Sequence, residues 1–380
     1  MISLAVFVLC VFFGTSGKAE GNPTIKSPAC RNIPGSAGYP SPVTWDELNA
    51  TIYGLLVNVV PSAKYCVSLP SGACTDAQWT SALFRSGIPG AMDQVNWEQG
   101  YDLMPPSLCL RNTTVCGQGD VLIYSVEAET VADIQAAVKF ASTYNLRLAV
   151  KSSGHDYLGR STAPYSLLIR TTNFKNISFT NDEVTMGSGV FSQTLIQRTK
   201  ESGKIVLTAL AATTCTAGEF QVVVANGELL QVNSISHADL FYALRGGRSG
   251  SWGVIVSTTF RTFPTFNVTS SIILSSAANN IAAGALATIH AQHIFDMDPT
   301  MALLAPFLNA SLALPNAVLL SQDYAYGNIN DAMLQADDSV GINLVLGPRL
   351  ISAAMYRDSP AKVGQVYKAL LNSKLHPMCL

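Results

Sequence analysis

The sequence predicts an α+β fold, and three features of the chain lead there. A strand, a helix and a second strand follow one another across residues 121–151, and the second strand runs into a loop of small residues holding one histidine. Two β-patterned runs, 220–224 and 229–232, flank Ala225-Asn226-Gly227-Glu228, which is a hairpin signal. No G-x-G-x-x-G follows a strand, which argues against a Rossmann dinucleotide domain.

At 380 residues the chain is long enough for a large core and two domains. It is 48% hydrophobic and 13% charged with net charge −2, which argues against disorder and against a basic nucleic-acid surface. Residues 2–13 are apolar and lead into Gly14-Thr15-Ser16-Gly17-Lys18-Ala19. That run is short for a bilayer span and ends in small residues, so 1–19 reads as a signal peptide, although a basic leading region is missing. A buried N-terminal strand is the alternative. No other stretch is long and apolar enough to cross a membrane, so no membrane association is expected after cleavage. Sequons begin at Asn49, Asn112, Asn176, Asn267 and Asn309, in keeping with a secreted glycoprotein.

Of eight cysteines, removal of Cys10 with the signal leaves Cys30, Cys66, Cys74, Cys109, Cys116, Cys215 and Cys379. Those before residue 120 read as disulfides that pin a loop-rich N-terminal region, with the pairing open. Seven is odd, so at least one thiol is expected to be free or paired outside the chain, and Cys379 is the candidate. Neither Cys66/Cys74 nor Cys109/Cys116 has zinc spacing, and no metal constellation or G-x-S-x-G elbow occurs.

In chain order, residues 20–117 form a Pro-, Gly- and Ser-rich extension. It contains one helix candidate near 44–52, with Thr44 as N-cap and Glu47 completing a capping box. Residues 118–265 carry a strand at 121–126, then a helix at 131–144 with Val131, Ile134, Ala137, Val138 and Ala141 on one side. A strand at 146–151 follows, then short strands at 167–170 and 184–186, a helix at 193–203 stopped by Gly203, and the hairpin. Residues 266–380 carry helices at 281–295 and 361–371.

Two stretches hold candidate site residues. In Lys151-Ser152-Ser153-Gly154-His155-Asp156-Tyr157-Leu158-Gly159-Arg160-Ser161-Thr162, Gly154 and Gly159 permit positive φ, and Ser152, Ser153, Ser161 and Thr162 offer donors to an anionic group. A surface turn with a solvated histidine is the plainer alternative. In Asp239-Leu240-Phe241-Tyr242-Ala243-Leu244-Arg245-Gly246-Gly247-Arg248-Ser249-Gly250-Ser251-Trp252-Gly253-Val254, a helix enters a glycine-rich loop whose backbone amides can meet a ligand. A glycine turn needed only for packing is the alternative there.

Together with the helix pattern before it, the His155 loop resembles the flavin-binding domain of the vanillyl-alcohol oxidase, or PCMH-type, family. The resemblance points in particular to secreted fungal FAD-linked oxidases of the isoamyl alcohol oxidase and berberine-bridge-like group. The second stretch is similar to that family's D-L-F-W-A-L-R-G-G-G-x-G-x-F-G-V-V signature, with Arg248 where a glycine usually stands. The stretch 340–351 also resembles a family strand and turn. The resemblance implies a PCMH-type FAD-binding domain with an incomplete α+β substrate domain. It implies FAD, bound covalently through His155, with Ser152, Ser153, Gly154, Asp156, Gly159, Arg160 and Ser161 lining it. Gly246, Gly247, Gly250, Trp252, Gly253 and Val254 would hold it from the other side. The implied chemistry is hydride transfer from an alcohol-type or related small organic substrate to the flavin, with oxygen as acceptor giving hydrogen peroxide.

The chain departs from that pattern in two places. Between residues 207–218 and Glu219 the family carries a longer glycine-rich loop that wraps the pyrophosphate, whereas here Gly218 leads directly into a strand. The chain also stops at Leu380, where the family continues, so a shortened form is expected. A non-catalytic remnant or a secreted binding glycoprotein are therefore the alternatives to an oxidase. Cys215 is either a second flavin attachment point or a plain buried or disulfide cysteine. No catalytic base is assigned. Asp156 and Tyr157 read as loop and packing residues, Tyr324 and Tyr326 as packing residues, and His237 as an exposed helix-start residue. The substrate and the oligomeric state stay open.

Overall fold

One helix, Val131–Thr143, lies between two sheets and joins them into a common core. The computed structural model describes residues 30–69, 74–111, 115–207, 217–246, 250–294, 304–333, 340–342 and 353–372. The first sheet holds β1 (Leu56–Asn58), β2 (Tyr124–Glu127), β3 (Leu148–Lys151) and β4 (Leu167–Arg170) in the order β1-β2-β4-β3. β2, β4 and β3 run parallel, and β1 closes one edge antiparallel to β2. Parallel neighbours need a crossover, and the helix Val131–Thr143 supplies it between β2 and β3.

That helix starts where its sequence dictates. Thr130 accepts the Asp133 amide at 3.3 Å, and the Asp133 carboxylate accepts the amides of Thr130 and Glu129 at 2.8 and 3.1 Å, a reciprocal capping box. Ile134, Ala137, Val138 and Ala141 are buried, at the spacing of one helix face. They pack with Val126, Leu167 and Ile169 of the first sheet, with Val223, Val254 and Val256 of the second, and with Trp45, Leu48 and Ile52.

The second sheet is antiparallel and holds β5 (Ile177–Phe179), β6 (Glu183–Gly187), β7 (Lys204–Val206), β8 (Ala217–Val223), β9 (Leu229–Asn233) and β10 (Val254–Pro264). Its order is β5-β6-β10-β8-β9, with β7 also paired to β10. β10 alternates buried Val254, Val256, Thr258 and Phe260 with less buried neighbours, the period of a strand. The β8–β9 hairpin turns at Gly227, whose φ of +82° needs a glycine. β11 (Asn267–Ala277) and β12 (Ala317–Asn328) form a separate antiparallel ribbon. Beside it the helices Asn280–His293 and Pro360–Asn372 approach closely at Gly284 and Gly364, where a Cβ on Gly284 would stand 3.0 Å from the Gly364 carbonyl.

Two expectations need correction. The first helix spans Pro42–Thr51, and its cap is Ser41, which accepts the Thr44 amide at 3.2 Å. Thr44 is thus inside the helix, because Pro42 is preset for the first helical position. Likewise β2 begins at Tyr124 rather than at Val121. Gln118 Nε2 donates to the carbonyls of Val59, Val121 and Leu122 (3.0, 3.4 and 2.8 Å), so a side chain serves these groups in place of a neighbouring strand.

In the N-terminal region Cys66 pairs with Cys74 and Cys109 with Cys116, and all four cluster with Trp79. The expected signal segment 1–19, Cys215 and Cys379 lie outside the described residues. Among the described residues no helix is long and apolar enough to cross a membrane.

Thr130→Ala removes one arm of the capping box while keeping the core intact. The expected loss is about 1 kcal/mol, read as a lower urea midpoint with an unchanged slope.

Candidate functional site

β3 ends at Lys151, and its side chain does not reach solvent. Nζ donates to the carbonyls of Ile88, Pro89 and Ala91 at 3.2, 2.5 and 2.8 Å. The ammonium donors match these acceptors one for one. Burial pushes the Lys151 pKa down to about 7; Arg170 pushes the same way, while Glu98, Glu127 and Asp93 oppose.

A second buried cation grips the next carbonyl. Arg85 and Glu98 form an ion pair at 2.7 Å with each side chain 1% exposed. Arg85 Nε and Nη2 donate to the Met92 carbonyl at 2.9 and 2.7 Å, and Glu98 Oε1 accepts the Met92 amide at 3.0 Å. Glu98 Oε2 takes the amide and hydroxyl of Ser62 at 2.9 and 2.7 Å. The segment 88–92 is therefore held by buried charge on both flanks.

This segment sets the wall against which the histidine loop folds. The Asp93 amide donates to the Gly154 carbonyl at 3.1 Å, and the Asp93 carbonyl accepts the Gly341 amide at 2.8 Å. Gly154 has φ +105°, and a Cβ there would stand 3.1 Å from the Ala91 carbonyl. Gly159 has φ +72°, and a Cβ there would stand 2.5 Å from the Trp97 ring. Both glycines are demanded by conformation and by close packing.

Within the loop, Asp156 accepts the amides of Leu158 and Arg160 (3.3 and 2.7 Å) and the Arg160 Nε and Nη2 (2.8 and 2.9 Å). Burial works to raise the Asp156 carboxyl, but these bonds outweigh it and hold the group below its ordinary range. Asp156 and Arg160 thus brace the turn through each other. The His155 side chain is 22% exposed, with Nε2 3.7 Å from Oδ2 of Asp93, itself 2% exposed. The Tyr157 ring meets it edge-on at 5.4 Å. Among the described residues no side-chain hydrogen bond engages the half-buried hydroxyls of Ser152, Ser153 and Ser161. Thr162 differs from expectation: its hydroxyl donates to the Asp120 carbonyl at 2.8 Å.

The second stretch hangs from the other sheet. The helix Ala238–Gly246 precedes it, with His237 exposed at its start. Gly247, Arg248 and Ser249 lie outside the described residues. Gly250, at φ +81°, has open space where a Cβ would stand, and Trp252 is 49% exposed. Gly253 packs on β8, since a Cβ there would stand 2.5 Å from Val222 Cγ1, and Val254 is buried as the first residue of β10.

Residues not singled out from sequence bridge the two stretches. Thr172 Oγ1 donates to the Ser152 carbonyl at 2.6 Å, a Cβ on Gly189 would stand 2.4 Å from the Thr172 carbonyl, and the Ser188 amide donates to the Val256 carbonyl at 2.9 Å. The Gly187-Ser188-Gly189 turn after β6 was the available signal. Asp93, Arg85 and Glu98 had no local signal, because their partners lie far along the chain. Tyr326 is 75% exposed instead of packed, and the Tyr324 side chain lies outside the described residues.

Residues 123–232 match the FAD binding domain family. The chain is 35% identical over 280 residues to an uncharacterized FAD-linked oxidoreductase of Arthroderma benhamiae, covering 63% of this chain and 48% of that protein. It is 32% identical over 259 residues to the flavin-dependent oxygenase ucdF of Aspergillus ustus, covering 58% and 47%. The chain thus spans about half the length of these curated relatives. Two VAO-type flavoproteins of Myceliophthora thermophila C1 share the fold, with TM-scores of 0.69 and 0.74 at 23% and 20% identity. Each comparison covers 90% of this chain and 75% of the other.

Two measurements check this geometry. Gly159→Ala forces a side chain into a positive φ and against Trp97, and a loss of at least about 1 kcal/mol is expected by thermal or urea unfolding. Lys151 has a folded pKa near 7 against an ordinary 10.5, so between these values the unfolded chain binds more protons. Stability of the wild type relative to Lys151→Met should therefore be flat below pH 6 and rise above pH 7, by up to about 1.4 kcal/mol per pH unit, in urea titrations across that range.

Proposed function

We propose that this chain, a member of the PCMH-type FAD-linked oxidoreductase family through its FAD-binding domain, is a secreted oxidase that carries FAD covalently on His155. It takes a hydride from an alcohol-type or related small organic substrate and passes the electrons to oxygen, giving hydrogen peroxide. The observation that carries this reading is the placement of His155. It sits on a turn shaped by two positive-φ glycines, beyond the carboxyl end of β3, where its neighbour β4, and β2 on the far side of β4, also end. Crevices at the carboxyl ends of parallel strands are where such sheets bind ligands.

The residues present fit the group. Ser188 Oγ is buried with no hydrogen-bond partner, and the hydroxyls of Ser152, Ser153 and Ser161 are uncommitted to other described side chains or backbone. A cofactor with an anionic pyrophosphate satisfies such donors. Bound FAD would supply the hydride acceptor. His155 would tether it, Asp156 and Arg160 keep the turn in shape, and Gly154 and Gly159 let the backbone come close. Gly246, Gly247, Gly250, Trp252, Gly253 and Val254 would hold it from the second sheet.

Secretion is supported by the two disulfides and by exposed sequon residues Asn176, Asn267 and Asn309. A second reading, a flavin-binding chain without turnover, is favoured by one observation: only residues 207–216 separate β7 from β8, where the family loop that wraps pyrophosphate is longer.

The visible spectrum of the purified, secreted protein before and after acid precipitation tests both readings. A yellow pellet, followed by peroxide release on alcohols, is expected. His155→Ala should release all its flavin into the supernatant. A variant that still holds flavin in the pellet overturns the tether, and a yellow wild type that releases no peroxide with any alcohol or sugar favours the second reading.

A further inference from the structure

We infer that Asn267 carries an N-linked oligosaccharide, and that this glycan covers the open edge of β11. The inference rests on the reading of the chain as secreted. Asn267-Val268-Thr269 is a sequon, and its asparagine is the first residue of β11. Asn267 is exposed, and its side chain makes no hydrogen bond to any described residue. The acceptor nitrogen is therefore reached by solvent and not used by the fold. Asn49 differs, since its side-chain oxygen accepts the Leu56 amide at 3.1 Å.

Two further observations point to a sugar at this place. One is aromatic. Asn267 pairs with Asn328, and Tyr326 lies two residues earlier on the same face of β12. A diagonal neighbour of this kind is within reach of an aromatic side chain. Tyr326 is 75% exposed, and Phe266, directly before Asn267, is 56% exposed. The C–H face of a pyranose packs on an aromatic ring, so the first sugar on Asn267 has a seat. The other observation is the edge. β11 runs for 11 residues without a charge or a proline, and among the described residues it pairs with β12 alone. The register shift at Leu274/Ser275 leaves 267–274 regular. A long uncharged edge is a template for pairing with another chain, and proteins blunt such edges. A bulky, hydrated glycan at its start blocks that approach. The second sheet repeats the arrangement: exposed Asn176, of the sequon Asn176-Ile177-Ser178, directly precedes the edge strand β5.

The modification is a group transfer without redox change. A bond forms from Asn267 Nδ2 to the anomeric carbon of a lipid-linked oligosaccharide diphosphate, and that carbon's bond to the diphosphate oxygen breaks. The lipid diphosphate leaves with the bonding electron pair. The proton lost from Nδ2 passes to a base of the transferring enzyme.

The test uses the full chain secreted by a eukaryotic host. Mass spectrometry of its peptides should find the glycan on Asn267. Thr269→Val removes the sequon while keeping a β-branched residue in the strand, and Thr269→Ser, which keeps the sequon, should behave as the wild type. Thr269→Val should add dimers and larger species in light scattering. Ser276→Lys in the same chain should remove them, because a charge on the edge blocks pairing. Tyr326→Ala should lower the thermal midpoint of the glycosylated protein by about 1–2 °C more than it lowers that of Thr269→Val. A secreted protein with unmodified Asn267 overturns the inference. Thr269→Val with wild-type association overturns the edge role, and equal Tyr326→Ala losses with and without the sugar overturn its seat. If Thr269→Val does not reach the medium, wild type trimmed by a glycosidase after folding takes its place. A chain that stays inside the cell sinks the secretion reading instead, and the same chain sent out behind a foreign signal peptide still judges Asn267.

Discussion

A buried ammonium seated on three backbone carbonyls is the constraint on which the rest of the site depends. Lys151 loses its water when β3 enters the core, and that loss is tolerable only because Ile88, Pro89 and Ala91 supply acceptors. Arg85 repeats the arrangement on Met92, with Glu98 neutralising it. Breaking either set leaves a buried charge or buried carbonyls unmatched, which costs far more than the set contributes when intact. The segment 88–93 is thus held in place by buried charge, and the histidine loop folds against it.

The same segment ties the N-terminal region to the flavin domain. The disulfides Cys66–Cys74 and Cys109–Cys116 close short loops, and Trp79 shares a buried cluster with them. Trp79 Nε1 donates to the Gly341 carbonyl at 2.7 Å, and the Gly341 amide reaches Asp93. Residues from the beginning and from the later part of the chain therefore converge on the acid beside His155. The two glycine-bearing stretches belong to different sheets. They are brought into relation by the helix Val131–Thr143 between the sheets and by the Thr172–Ser188 bridge.

Where residues meet in space also changes what individual side chains do. Arg160 looks like an anion-binding cation in sequence, yet it is paired with Asp156 and shapes the turn. Gly253 looks in sequence like a backbone contact for a ligand, and the fold gives it a further task, since its Cα packs directly on β8. Thr162 looks like a donor to an anion, yet it closes onto Asp120. Each of these contacts has one cause: a nearby protein partner that the local pattern does not reveal.

Sequence by itself determined the features that short-range physics controls. The capping box at Thr130 and Asp133, the apolar face of the helix it starts, the Asn226-Gly227 turn and the positive-φ glycines of the His155 loop depend only on residues a few positions apart. Those features were enough to read the α+β class, while the loop was read as a site through its resemblance to the flavin-binding family. The partner of His155, the seat of Lys151, the disulfide pairing and the Ser41 cap in place of Thr44 were decided otherwise. The cap turned on which of two adjacent signals Pro42 favoured. The others join groups from distant parts of the chain, and a lysine reads as solvated until the tertiary fold removes its water and places carbonyls around it.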